Sequence, residues 1–246
     1  MMSKSNMLEN KIAVITGCGR GIGKAILELF LNNGAIVYAV DRDATSFSEY
    51  ANNACCKPVI MDVTNTEHVK ALFMQIKKEQ NRLDILVNNA GIMKDALIGM
   101  ISKEQIESTY SVNVFAVIDM LQYASKFFKR QRSGTVINLA SIMGTNGEAG
   151  KVLYSSSKGA IVALTKAAAK ELAPQNIRVN AIAPGTVDTS LLSGLSQQQI
   201  DKTIASIGLG RLAKPCEIAQ VALFLASDMS QYVTGQIIGV DGSMIV

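Results

Sequence analysis

Lys11–Gly34 reads KIAVITGCGRGIGKAILELFLNNG. Its opening, KIAVIT, is a continuous apolar run of strand length, and its close, KAILELFLNNG, repeats apolar residues at helical spacing after the intervening GCGRGIG. A strand that runs through glycines into a helix lets backbone amides approach a pyrophosphate lying on the positive amino end of that helix. The residues that would do so are Gly17, Gly19, Gly21 and Gly23, with Arg20 and Ile22 between them. A Walker phosphate loop ending at Gly23-Lys24 would need glycine where Cys18 stands and Ser or Thr where Ala25 stands. That alternative fails at both positions.

Downstream of Gly34, Ala35–Val40 reads as a second strand with Asp41 at its tip. A carboxylate there can accept hydrogen bonds from adenosine ribose hydroxyls and repel a 2′-phosphate, which favours NAD; Arg42 beside it could instead pair with that phosphate, which keeps NADP open. Asp41 could also serve only as the amino cap of a following helix. A third strand at Pro58–Met61 leads into Asp62-Val63, a helix follows at Thr66–Glu79, and Asp84–Val87 leads into Asn88-Asn89-Ala90-Gly91. Small and amide side chains at that tip suit either the wall of an adenine and ribose pocket or a hydrogen-bonded turn. Ser102–Arg130 reads as one long helix containing Asn113, a residue that disfavours helix interiors because its amide competes for backbone bonds.

A fifth strand, Val136–Ala140, ends at Ser141, so the serine hydroxyl is expected at the carboxyl edge where open α/β sheets bind ligands. Helix Val152–Ala173, stopped by Pro174, carries Tyr154 and Lys158 one turn apart on one face. Two unit charges ~5 Å apart at an effective dielectric of ~20 interact by roughly 3 kcal/mol, about two pKa units, so the lysine can bring the phenol into the range of neutral proton exchange. A hydroxyl donor, a tunable phenol and a fixed cation suit proton transfer to a carbonyl or from an alcohol. Ser156, Ala160, Ala163 and Ala167 form a small-residue stripe on the same helix, open to close packing within one subunit or against a second.

Ile177–Ala183 reads as a sixth strand ended by Pro184-Gly185, Thr186–Gly210 as a lid over the sheet edge, Pro215–Ser227 as a helix and Gln236–Val240 as a seventh strand. The alternation implies a Rossmann-type α/β fold, a doubly wound parallel sheet of seven strands with helices on both faces, in a single domain over residues 1–246. With 48% hydrophobic content the 246 residues can bury one core of that size. The net charge of +4 is small and scattered, and Lys129-Arg130-Gln131-Arg132 reads as a solvated helix end, so no nucleic-acid partner is expected. Cys18, Cys55, Cys56 and Cys216 lack C-x-x-C spacing and His68 is the only histidine, so no metal site is expected. Neither a signal-peptide pattern nor an apolar run near the ~18 residues of a membrane span is present, and a soluble cytoplasmic protein is expected.

Six motifs in order, TGCGRGIG at Thr16–Gly23, NNAG at Asn88–Gly91, Asn113, Ser141, YSSSK at Tyr154–Lys158 and PGTVDT at Pro184–Thr189, make the chain resemble the short-chain dehydrogenase/reductase family from about Lys11 to Gly242. The resemblance implies hydride transfer between a nicotinamide cofactor and a carbonyl or secondary alcohol. It implies Tyr154 as general acid or base, Ser141 bonded to the substrate oxygen, Lys158 on the phenol and the nicotinamide ribose, and Asn113 holding a relay water. It implies cofactor contacts from the glycine loop, Asp41, Arg42, Asp62 and Val63 beside the adenine, Asn89, Ala90, Gly91, Pro184, Gly185, Val187, and Thr189 on the carboxamide. Within the family, KDALIGM at Lys94–Met100, GRLAKPCEIA at Gly210–Ala219 and the VTGQIIGVDG ending resemble the 3-oxoacyl-acyl-carrier-protein reductases of fatty acid biosynthesis. Sugar-alcohol, steroid and other alcohol dehydrogenases share those patterns. For carrier-protein docking Arg132 is available, but Gln175 stands where a second arginine is often found. Homo-oligomers, tetramer or dimer, are implied as well.

Overall fold

The structure is a computed structural model that describes residues 6–94, 96–189, 194 and 196–245. Seven strands, β1 (Ile12–Thr16), β2 (Ile36–Asp41), β3 (Cys56–Ile60), β4 (Ile85–Asn88), β5 (Gly134–Leu139), β6 (Ile177–Pro184) and β7 (Ile237–Val240), form one sheet in the order β3-β2-β1-β4-β5-β6-β7. Every neighbouring pair is parallel. The chain winds outward from β1 to β3, then crosses back to lay β4 on the other side of β1. The carboxyl ends of β1 and β4 therefore flank the point where the winding reverses, which is where such sheets leave a crevice.

The central strands β1, β2 and β4 are buried and mostly apolar because both faces are covered. Ala13, Ile15, Val37, Ala39, Val87 and Ile137 face one layer, where Ile26, Leu27 and Phe30 of α1 (Gly21–Asn32) pack with α8 (Pro215–Ala226). Their alternates Ile12, Val14, Tyr38, Val40, Leu86 and Val136 face α2 (Thr66–Glu79), α4 (Ala116–Gln131) and α6 (Val152–Leu172). This is the period-2 pattern of a strand buried on both sides.

The long helix expected at Ser102–Arg130 is one unbroken helical run from Lys103 to Gln131 that a π turn at Ser111–Phe115 divides into α3 (Lys103–Tyr110) and α4. The extra residue in the turn pushes Asn113 sideways, and its amide finds the partners described below. Strand edges move by up to two residues: β3 starts at Cys56, β5 at Gly134, and β4 runs one residue later than DILV. Pro174 lies inside a 3₁₀ turn, Ala173–Gln175, just past the end of α6. Between β5 and α6 sits a five-residue helix, α5 (Ile142–Asn146), that the sequence did not suggest.

The segment read as a lid contains α7 (Gln197–Ala205), started by a capping box between Ser196 and Gln199. Residues 190–193 and 195 lie outside the described residues. Its ends are tied to the body: Val187 bridges Ala213, and Ile207 bridges Met244.

Candidate active site

Four of the candidate side chains, Asn113, Ser141, Tyr154 and Lys158, lie about the carboxyl edge of β5. Ser141 leaves that strand and caps α5, its Oγ accepting the Met143 amide at 3.2 Å. A hydroxyl that accepts in this way still carries one proton to donate. Tyr154 sits half-buried in the first turn of α6, and Lys158 one turn later has its Nζ 5.8 Å from the phenol ring centroid. That Nζ donates to the Leu139 carbonyl at 2.7 Å. Leu139 lies two residues before Ser141, so the ammonium ties α6 to the stretch of β5 that positions the serine. Burial lowers the Lys158 pKa to about 8, because a low-dielectric site disfavours the charged form.

Asn113 completes the group. Its Oδ1 accepts the Ile92 amide at 2.8 Å, and its Nδ2 donates to the Ile92 carbonyl at 2.9 Å and to Ser157 Oγ at 3.0 Å. Ser157 in turn donates to the Tyr154 carbonyl at 2.7 Å. The π turn thus fastens the loop after β4 to the first turns of α6. Both amide protons of Asn113 are engaged, so its side chain acts here as a strut.

The glycine loop leads from β1 into α1 beside this group. Gly17 and Gly21 have φ of 70° and 55°, backbone that L side chains rarely adopt. Asn89 Nδ2 donates to the carbonyls of Thr16 and Gly17, both at 2.9 Å, while Thr16 Oγ1 accepts the amides of Asn89 and Ala90, both at 3.0 Å. Of the two readings left open for the NNAG segment, the side chain of Asn89 takes the structural one: it braces the loop. Asn88 also turns inward, donating to Asn138 at 2.9 Å, which donates to Thr165 of α6 at 2.9 Å.

Asp41 is not the cap of the next helical turn. That role belongs to Asp43, which accepts the Thr45 amide at 2.9 Å. Asp41 accepts the Gly19 amide at 2.7 Å on Oδ2 and the amides of Arg42 and Asp43 at 2.7 and 3.2 Å on Oδ1. Its carboxylate is therefore aimed at the glycine loop. Asp62 accepts the Thr64 amide and hydroxyl, which hold its carboxyl below the usual range, and its Oδ2 is 3.9 Å from Arg42 Nη1. Val63 is buried next to it. Across the crevice, the Thr189 methyl lies 3.3 Å from where a Cβ on Gly21 would stand, so the end of the Pro184–Thr189 segment rests over the loop. Pro184 closes β6, and Gly185 donates to the Val240 carbonyl at 3.1 Å.

Arg132 does not flank this site. It follows α4 just before β5 begins, a strand length or roughly 20 Å from the edge that carries Ser141, and its Nη2 donates to the Pro174 carbonyl at 3.4 Å, beside Gln175. Sequence reasoning also missed Leu139, Ser157 and Thr16, which hold the group through a backbone carbonyl and two hydroxyls. An apolar strand residue and two small polar residues carry no signal of such roles.

A family model described as enoyl-(acyl carrier protein) reductase matches residues 17–244. The chain is 39% identical over 244 residues to the 3-oxoacyl-[acyl-carrier-protein] reductase FabG of Thermotoga maritima, covering 97% of this chain and 99% of that one. The chain belongs to the short-chain dehydrogenase/reductase family. Another member of the family, the 3alpha-hydroxysteroid dehydrogenase of Mediterraneibacter gnavus, is 39% identical over 244 residues, covering 96% of this chain and 98% of its own. The FabG reductase of Aquifex aeolicus is 37% identical over 243 residues, covering 96% and 98%. As a short-chain dehydrogenase/reductase, the protein is an NAD(P)-dependent oxidoreductase acting between alcohol and carbonyl. No helix among the described residues is long and apolar enough to cross a membrane.

Proposed function

We propose that the protein reduces the 3-oxo group of an acyl thioester, with Tyr154 as the proton donor. The observation that carries this reading is the convergence of a capped Ser141, Tyr154 and a buried Lys158 on one sheet edge beside a braced glycine loop. The loop fits a dinucleotide. At Gly23 a Cβ would fall on the loop's own Gly17 carbonyl, so the loop can fold this tightly only with glycine there. Gly17–Gly23, Asp41, Val63, Ala90, Gly91, Lys158 and Thr189 would hold the cofactor, with Pro184, Gly185 and Val187 behind the nicotinamide end. A bound nicotinamide supplies the hydride. Ser141 donates a hydrogen bond to the substrate oxygen, keeping its own proton, and fixes that oxygen near Tyr154. The phenol then transfers a proton to that oxygen while the Lys158 ammonium stabilises the phenolate left behind.

The rim favours an apolar substrate. Leu97 lies 3.9 Å from the Cβ position of Gly150, four residues before Tyr154, and Leu97, Ile98 and Met100 are exposed together on the loop after β4. An acyl chain suits that lip, and so does a steroid, which the hydroxysteroid dehydrogenase relative keeps as the second reading. Turnover of acetoacetyl thioesters against hydroxysteroids and sugar alcohols decides between them: preference for the sterol by kcat/KM would replace the thioester reading. Since Arg132 stands at the far edge of its own sheet, a carrier protein docked at this crevice would meet it only on another copy of the chain. Phe115 and Ile118 of the α4 side and Val152 of α6 are exposed beside the Ser156, Ala160, Ala163 and Ala167 stripe, a face suited to homo-oligomer formation in a cytoplasmic enzyme. Sedimentation of the purified chain reads this directly, and a monomer at micromolar concentration would contradict it.

For the cofactor, NADH is the proposed donor. The Asp41 carboxylate is fixed by three backbone amides and turned toward the glycine loop, where a 2′-phosphate would meet it. Arg42 is exposed and leans toward Asp62 at 3.9 Å. Asp41→Ala removes an acceptor and a repulsive charge, each worth roughly 1.5–3 kcal/mol when charge-assisted, so the NADH preference should narrow at least about tenfold. Steady-state kinetics with both cofactors at low ionic strength check it; a wild type that already prefers NADPH overturns it.

Lys158 gives the free enzyme a pH signature. Its pKa of about 8 means that the ammonium offered to the ribose hydroxyls is present below that pH and lost above it, so cofactor affinity should be level below pH ~7 and fall as pH rises through ~8. Calorimetric titration across this range checks it, and Lys158→Gln should bind weakly with the pH dependence gone. Retention of the fall in that variant would assign it to another group.

A further inference from the structure

We infer that Gly144 is a positioning residue that sets the distance between Ser141 and the Tyr154–Lys158 turn, a role that rests on the proton-transfer reading above. Gly144 occupies the middle of α5, three residues past Ser141, and its amide donates back to the Ser141 carbonyl at 2.9 Å. A Cβ built on it would stand 2.6 Å from the Lys158 carbonyl carbon, 2.8 Å from the Lys158 Cβ and 2.9 Å from the Gly159 nitrogen. These are mostly backbone atoms of the helix that carries the phenol and the ammonium. Backbone of α5 therefore lies directly on backbone of α6, at the residue whose side chain reaches Leu139. No side chain can swing away to relieve an added methyl.

Which helix yields is decided by what each is anchored to. α6 is 21 residues long, buries Leu153, Ile161, Ala169 and Leu172, and is tied to β5 through Lys158. α5 has five residues, and of these only Ile142 is buried. A methyl on Gly144 thus moves α5, and with it the serine that caps it, while Lys158 and the glycine loop stay in place. Gly159, the facing residue, is a weaker contact: its Cβ position is 3.3 Å from the Gly144 carbonyl oxygen, with nothing else within 4 Å.

The test is a double-mutant cycle on the full-length protein, read by kcat, cofactor dissociation constant and melting temperature. Misplacement of a reacting group by ~1 Å can cost about a hundredfold. Gly144→Ala should therefore lower kcat tenfold to a hundredfold with cofactor affinity within about threefold of wild type, whereas Gly159→Ala should lower kcat less than about threefold. Combined with Ser141→Ala, Gly144→Ala should add no further loss, because it acts through the serine. Additive losses, or a wild-type kcat in Gly144→Ala, overturn the inference. A loss confined to melting temperature and cofactor affinity overturns it as well. If Gly144→Ala does not fold, Gly159→Val presses the same contact from α6 and goes through the same cycle: a kcat loss that vanishes in the Ser141→Ala background supports the inference, and an additive loss or none overturns it. Tyr154→Phe run alongside separates the two proposals: if it stays active the proton-transfer reading is wrong, and if it is inactive while Gly144→Ala is normal only the positioning role is.

Discussion

Tyr154→Phe should lose turnover by roughly 10²–10⁴, the range attributed to a positioned general acid or base, while binding its cofactor nearly as well as wild type. The separation of these effects follows from where the residue is held. Its main chain is fixed by Ser157, whose hydroxyl donates to the Tyr154 carbonyl at 2.7 Å, and that bond does not involve the phenol. Lys158 is fixed by the Leu139 carbonyl, which the substitution leaves in place. The phenylalanine ring can keep the place beside the ammonium that the phenol ring occupies, 5.8 Å from Nζ. What disappears is the transferable proton. Single-turnover kinetics with a pre-bound nicotinamide would isolate the reductive step, and the loss should appear there. Retained turnover would remove Tyr154 from the proton path and leave the Ser141–Asn113–Lys158 group without a donor at its centre.

Strands were legible in the sequence because a parallel strand covered on both faces is an unbroken apolar run, as in IAVIT, and the hydrogen-bond register cannot disguise that. Their ends were less so. Cys56 and Lys57 join β3 because they pair in register with Val37 and Tyr38, and pairing between residues so far apart in the chain leaves no local pattern. The π turn was half legible: Asn113 stood out as a poor helix residue, but its compensation is the backbone of Ile92, 21 positions away. Helical spacing put Tyr154 and Lys158 on one face, but that pattern is common by chance, and only the other motifs along the chain made the two a candidate pair. The bracing role of Asn89 was not legible, since the carbonyls it holds, Thr16 and Gly17, lie 73 and 72 positions away in the chain. Gly144 carries no local signal either, because the need for glycine comes from α6, a helix that begins only at Val152.

Gly23→Ala should do the reverse of Tyr154→Phe, losing cofactor before chemistry. The new Cβ would fall on the Gly17 carbonyl oxygen and on Asn89 Nδ2. Neither can retreat: the Gly17 carbonyl accepts from Asn89 at 2.9 Å, and Asn89 also holds the Thr16 carbonyl at 2.9 Å. α1 cannot retreat as a body either, since Ile26, Leu27 and Phe30 are fully buried against the sheet and α8. The glycine loop must open instead, and the amides it presents move with it. Overpacking costs about 1–3 kcal/mol, and two weakened amide hydrogen bonds add about 0.5–1.5 kcal/mol each, so a total of ~2–6 kcal/mol falls on the loop. At 1.4 kcal/mol per tenfold, cofactor affinity should drop by at least about thirtyfold and as much as ~10⁴. Calorimetric titration with NADH and NADPH reads the affinity, and circular dichroism of the same sample reads the fold. A folded Gly23→Ala that binds either cofactor as tightly as wild type would mean that this loop is packing alone, and the dinucleotide would have to be sought elsewhere on the sheet edge.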